Sequence, residues 1–269
     1  MQHPQFVTLD HAAQQIQEGM TLALGGMTLY RRPIGFVRAL LRRQLPPKDL
    51  TLLCFTAGFE SDLLVGAGCV KAVRSVYFGL ESFGLAPMFT EAAARETIEI
   101  VEETELSLSM GMRARMHNVG FMPSRAWIGT DLPTLRPDVK TIIDPYSGET
   151  LMAFPAIGCD VTVLHGLAAD REGNVKLNNN LGVDLELIYI SDLVIVTVEN
   201  IVDHLERDAD GLLIPSVGVD YIVHAPGGAH PTSCYPLYPV AGGVFLDYVD
   251  ACNNGRFQAF LDEFLADGE

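Results

Sequence analysis

Four stretches of the chain carry residues able to do chemistry. Leu24-Gly25-Gly26-Met27 is an apolar run ending in a double glycine, followed closely by Arg31, Arg32 and Pro33. Backbone N–H groups bared at such a turn, next to a helix start, can bind an anion or a developing oxyanion. Gly25, Gly26 and Met27 are therefore oxyanion-loop candidates. Arg31 and Arg32 are candidates for binding an anionic group of a ligand, such as a carboxylate or a phosphate, and equally for pairing with a carboxylate of the chain itself. The pattern is neither GxGxxG nor a P-loop, and by itself a Gly-Gly pair is a tight turn. The second stretch, Glu99, Glu102, Glu103 and Glu105, packs four acids into seven residues. Such a run is ordinarily a solvated face. Glu105, where the acids meet Leu106-Ser107-Leu108, is the one placed to turn inward, where a carboxylate can serve as nucleophile or general base on a thioester.

The third stretch, Gly79-Leu80-Glu81-Ser82-Phe83-Gly84, follows a strand-like run and offers Glu81 and Ser82 as ligand contacts, or is an ordinary loop. The fourth runs from Ala225-Pro226-Gly227-Gly228 through Ala229-His230-Pro231 to Cys234-Tyr235. Glycines beside prolines shape a loop at a strand's carboxyl end, where α/β sheets place ligands, so His230 and Tyr235 are candidate ligand contacts. No spacing supplies a base for Cys234, and no GxSxG elbow exists for a serine nucleophile. The seven histidines repeat no metal-ligand spacing, so no metal is expected.

These stretches need elements to hold them. Asp10 to Glu18 reads as a helix capped by Asp10, Thr21 to Leu24 as a buried strand, and the residues after Pro33 as a helix with Phe36, Val37, Leu40 and Leu41 on one side. Leu50 to Thr56 and Ala72 to Gly79 read as buried strands around a short helix at Ser61 to Gly68. Ala92 to Glu99 and Ser107 to Asn118 read as helices, and Thr130 to Gly148 as a surface excursion. Val161 to Gly166, Leu193 to Glu199 and Val219 to Ala225 read as strands, and Phe245 to Phe264 as one helical segment. Unbroken apolar strands alternating with helices imply an α/β fold, an open, mainly parallel sheet with helices on both faces, in one domain over residues 1–269.

The bulk numbers agree. Of 269 residues, 48% are hydrophobic and 19% charged, which affords a sizeable core and argues against disorder. A formal charge of −16 excludes binding to nucleic acid or an anionic membrane through the overall field. Arg31, Arg32, Arg38, Arg42 and Arg43 form the one basic cluster. Five widely spaced cysteines without a CxxC imply free thiols in a reducing cytoplasm. Met1 to Leu9 has no secretion-signal pattern, and no uncharged apolar stretch reaches the roughly 18 residues of a membrane span.

Taken together the segments resemble family I CoA-transferases, specifically the alpha (A) subunit of the glutaconate CoA-transferase type. The resemblance rests on Ala23 to Met27 with Arg31-Arg32-Pro33, on Gly66 to Lys71, Phe121-Met122-Pro123 and Ile188 to Glu199, and above all on Gly227-Gly228-Ala229-His230-Pro231 through Tyr235. It implies a protein that pairs with a beta subunit, often as an α2β2 heterotetramer, uses a CoA thioester as substrate and has no tightly bound cofactor. It also implies that the catalytic glutamate sits on the beta subunit, that the glycine loop supports the thioester oxygen, and that this chain alone is inactive. One departure bears on the reaction. Where the glutaconate type carries glutamine, this chain has Glu105, as in the similar alpha subunits of ring-opening CoA hydrolases of steroid degradation, whose acid at that position is essential; Ile98-Glu99 and Glu102 also fit that group.

Overall fold

The computed structural model describes residues 3–206 and 210–266. In chain order, β1 (Gln5–Phe6), α1 (Leu9–Gln14), β2 (Thr21–Leu24), α2 (Ile34–Leu41) and β3 (Leu50–Ala57) come first. They are followed by α3 (Phe59–Gly66), β4 (Val70–Phe78), α4 (Pro87–Ala94), β5 (Glu99–Glu102) and α5 (Glu105–Met116). An excursion then holds β6 (Phe121–Ser124), α6 (Leu132–Leu135), β7 (Lys140–Ile143) and β8 (Thr150–Pro155). The chain returns through β9 (Cys159–Asp170), β10 (Val175–Leu177), α7 (Asp184–Ile190), β11 (Ser191–Val202) and β12 (Leu212–Ile214), and ends with β13 (Tyr221–His224), α8 (Gly242–Asn253) and α9 (Phe257–Ala266).

The main sheet runs β1-β13-β11-β9-β2-β3-β4-β5, and each neighbouring pair along it is parallel. β10 pairs antiparallel with β9 and β12 beyond this path. Side chains alternate between the faces, as a strand period of two requires. Leu22 and Leu24 of β2 join a core with α1, α2, α3, α8 and α9, while Ala23 between them joins a second core with α5 and α7. The sheet is thus covered on both faces, the architecture its apolar strands imply.

The order of strands places the site. From β2 the chain moves outward to β3, β4 and β5, then returns to β9 on the other side of β2. The switch point between β2 and β9 opens at the strands' carboxyl ends, the edge where parallel sheets bind ligands. The Gly25–Arg32 loop, Gly58–Glu60, Glu81–Ser82, Glu103–Glu105 and the loop after β13 all leave strands at that edge. The sheet's lateral edges are a two-residue β1 and the acidic β5, whose Glu99, Ile100 and Glu102 are exposed.

Several local expectations are corrected. Thr8, not Asp10, caps α1: its hydroxyl accepts from the His11 N–H at 3.2 Å. The helix expected over Ala92 to Glu99 begins earlier because Pro87 occupies its first turn, and Glu99–Glu102 is a strand. The single C-terminal helix is two, parted at Gly255, whose φ of +67° stops α8. Residues 121–155 hold a separate antiparallel sheet, β6-β8-β7, around a small core of Trp127, Val139, Met152 and Phe154.

Asp62 of α3 ties this layer together. Its carboxylate accepts from the Met88 and Phe89 N–H groups at the start of α4 and from the Tyr248 hydroxyl of α8, at 3.2, 2.6 and 2.6 Å. Burial pushes this carboxyl up from 3.8 to about 6, outweighing the three donors. Between about pH 4 and 6 the folded chain therefore holds a proton that the unfolded chain has released, and stability from this group falls as pH rises. Asp62→Asn, neutral throughout, is expected to gain in thermal midpoint relative to the wild type on going from pH 4 to 7. A difference that stays flat or reverses would show that the three donors, not burial, set the group.

Candidate active site

Gly25 and Gly26 leave β2 at the switch point, but their N–H groups do not face open space. The Gly25 N–H donates to the Val163 carbonyl at 3.0 Å, the Gly26 N–H to Asp184 Oδ1 at 2.9 Å, and the Met27 N–H to the Tyr30 carbonyl at 2.9 Å. All three expected oxyanion donors already have acceptors inside the chain, so in this conformation the loop is internally closed. The glycines are demanded by packing instead. A Cβ on Gly25 would lie 2.1 Å from Leu164 Cδ2, and Gly26 has a φ of +81°.

Arg31 and Arg32 are fully buried. Arg31 pairs with Asp184 at 3.0 Å and Arg32 with Glu60 at 2.5 Å. Of the two expectations, pairing within the chain is the one this conformation displays. Burial alone would lift the Asp184 carboxyl; Arg31 and the Gly26 and Gly182 N–H groups overcome it and hold the group below the usual carboxylate range.

Glu105 is also placed differently from the inward position expected. It is the first residue of α5 and is exposed at the carboxyl edge. The acid that turns inward is Glu103. It accepts from Arg74 at 2.7 Å, from Arg136 at 2.7 Å and from the Ser107 hydroxyl, binding the excursion to the main sheet. Thr104 caps α5 through the Ser107 N–H, so Glu105 stands on a helix whose first turn is fixed on both sides. Glu81 and Ser82 lie exposed in a 3-10 turn after β4, at the same edge.

The loop after β13 sends its two candidates to different places. His230 borders a pocket of about 430 Å³ with Arg38, Asp247, Arg256 and Glu263 between α2, α8 and α9. Burial and Arg38 hold its imidazole below the usual histidine value. Tyr235 is 70% exposed and lines another pocket, of about 440 Å³, with Tyr30, Asn180, Leu237 and Tyr238.

Beneath that second pocket lies a buried cluster the sequence did not reveal. Glu199 Oε1 is 2.7 Å from His165 Nε2 and accepts from the Tyr238 hydroxyl, while Oε2 accepts from the Gly227 N–H at 2.6 Å. Burial lowers the His165 value against the pull of Glu199, and its Nδ1 meets the Thr197 hydroxyl at 2.8 Å. Ligand atoms of His165, Glu199 and Cys234 lie within 4.8 Å of one another, the spacing of a metal centre. In the described conformation these groups are engaged within the chain. Glu199 accepts from three donors, and burial followed by Glu199 pushes the Cys234 thiol up to about 12, so without an ion the sulfur is protonated and is not a nucleophile. The cluster fastens the loop after β13 onto β9 and β11. All five cysteines are free.

Among the described residues no helix is long and apolar enough to cross a membrane. Residues 6–225 match the Coenzyme A transferase family. The chain is 33% identical to the A subunit of the 3-oxoadipate CoA-transferase of Pseudomonas knackmussii, over 97% of this chain and 93% of that one. It is likewise 33% identical to the IpdA subunit of the cholesterol ring-cleaving hydrolase of Mycobacterium tuberculosis, over 97% and 93%. The crystal structure of a cysteine-to-serine variant of the decarboxylase AibA/AibB superposes with a TM-score of 0.90 at 30% identity, covering 99% of this chain and 100% of that one.

Proposed function

The chain belongs to the coenzyme A transferase family, and on that premise we propose that it is the alpha subunit of a two-subunit CoA-transferase, moving CoA between an acyl-CoA and a carboxylic acid. The observation that carries this reading is end-to-end likeness to the A subunit of a CoA-transferase. Exchange between two acids passes through an anhydride, which conserves the thioester energy and needs a free carboxylate nucleophile. At the carboxyl edge Glu60, Glu103, Asp184 and Glu199 are each held by arginine or by histidine and tyrosine. Glu81 and Glu105 are exposed at the same edge; the attacking glutamate is assigned to the second subunit on the family resemblance alone, in an α2β2 assembly. The substrate is a CoA thioester, and the five free thiols suit a reducing cytoplasm.

A second reading is favoured by one residue. Glu105 is an exposed carboxylate on a fixed helix start at the same edge, and the ring-cleaving hydrolase relative has the same 33% identity to this chain as the transferase relative. In that reading Glu105 activates water on a CoA ester. Both are tested on the complex with its second subunit, given acyl-CoA with and without an acceptor acid. Transferase activity requires acceptor-dependent CoA exchange that Glu105→Gln leaves within about threefold, whereas loss of a general base removes about 10²–10⁴-fold of the rate. CoA release that ignores the acceptor and collapses in Glu105→Gln would replace the first reading with the second.

A further inference from the structure

Two buried ion pairs hold one residue, Gly26, through the two peptide groups that flank it. The Gly26 N–H donates to Asp184 Oδ1 at 2.9 Å, and Arg31 neutralises Asp184 through Oδ2 at 3.0 Å. The Gly26 carbonyl accepts from Arg32 Nη1 at 3.1 Å, and Glu60 neutralises Arg32 at 2.5 Å. Arg31, Arg32, Glu60 and Asp184 are all fully buried or nearly so. The four residues come from three parts of the chain: the loop after β2, the start of α3 and the start of α7.

Arg31 reaches further. Its guanidinium also donates to the His165 carbonyl at 2.6 Å, to Asn178 Oδ1 at 3.2 Å and to the Asn180 carbonyl at 3.2 Å. Asn178 in turn donates to the Tyr235 carbonyl at 2.8 Å, and the Arg31 N–H to the Ser233 carbonyl at 2.6 Å. Tyr30, Asn180, Ser233 and Tyr235, all walls of the 440 Å³ pocket, are thereby tied to one residue. Thr28 and Arg31 themselves hold φ of 40° and 56°, a left-handed backbone that side-chain-bearing residues keep only where their surroundings over-determine it.

We propose that Arg31, with Arg32, Glu60 and Asp184, is a positioning residue: the paired ion clamp fixes the Gly26 loop and, through Arg31, orients the Tyr30–Asn180–Tyr235 pocket that receives the acyl end of the CoA thioester. The proposal rests on the CoA-ester reading given above. The clamp touches no substrate. It sets the angle at which the pocket presents one, and misorientation lowers turnover more than affinity. Arginine is needed because four acceptors lie around one planar fork; lysine keeps the charge but offers a single point with three donors.

The test is Arg31→Lys in the complex with its second subunit, beside Leu261→Ala, a cavity in α9 remote from the pocket. Arg31→Lys is expected to lower kcat for acyl-CoA roughly 30- to 100-fold while KM stays within about threefold, and to speed amide exchange across residues 25–32. Leu261→Ala is expected to lower the melting temperature at least as much and to leave kcat within about twofold. Wild-type kcat in Arg31→Lys, or an equal loss of kcat in Leu261→Ala, would overturn the clamp. A wild-type complex that turns over no acyl-CoA would instead overturn the functional reading. The exchange measurement then still decides the clamp, which falls if protection across 25–32 is unchanged in Arg31→Lys.

Discussion

Asp184→Ala is expected to destabilise the chain by about 3–5 kcal/mol, the penalty for stranding one member of a buried ion pair. The pair is inaccessible, with both side chains at 0% exposure, so no water reaches the abandoned Arg31 guanidinium. The carboxylate also serves two backbone donors, Gly26 N–H at 2.9 Å and Gly182 N–H at 3.1 Å, and each would be left unsatisfied. Asp184→Asn should fall between the wild type and the alanine variant, because its amide oxygen can still accept from Gly26 while the charge on Arg31 goes unanswered. Urea unfolding measures all three. A loss below about 1 kcal/mol for Asp184→Ala would place the pair in the range of a solvated surface bridge and refute the buried geometry.

Gly26→Ala is expected to cost about 2–5 kcal/mol, summing the left-handed backbone penalty and the strain of an overfilled site. At Gly26 a Cβ would stand 2.5 Å from the Arg31 carbonyl oxygen and 2.7 Å from that of Tyr30, both backbone atoms with little freedom to retreat. Gly148 separates the two contributions. It has a φ of +73° with nothing within 4 Å of the added carbon, so Gly148→Ala should show only the backbone part, about 1–2 kcal/mol. Equal losses at the two positions in thermal or urea unfolding would mean that the loop after β2 yields, and that the clamp around it is slack.

The central strands were legible because burial on both faces writes itself into sequence: Leu193 to Val198 is apolar but for Thr197, and β11 runs through it. β5 was hidden by its own acids. Ile98-Glu99-Ile100-Val101-Glu102 is half-exposed at the sheet edge, and its carboxylates suggested a helix tail rather than a strand. The candidate site was legible as a set of loops but not as a set of partners. Arg31 and Arg32 announce two cations, yet nothing local marks Asp184, which binds the Gly26 N–H from 158 positions away, or Glu60, 28 positions from Arg32. The same holds for His165 and Glu199, each at a polar interruption of a long strand, joined only when β9 and β11 pair. Glu103 and Glu105 look alike in sequence. The turn between them, capped by Thr104, sends one to the core and leaves the other in solvent.

The acidic β5 has a meaning apart from catalysis. A parallel sheet that does not close leaves a row of unpaired peptide groups along each outer strand, and such a row recruits other strands into aggregates. Here one outer strand is only two residues long and the other carries exposed Glu99 and Glu102 beside the exposed apolar Ile100. Two copies meeting along β5 would bring four carboxylates together on a chain that already bears a net −16, and would repel. The chain is thereby guarded against polymerising through its own sheet.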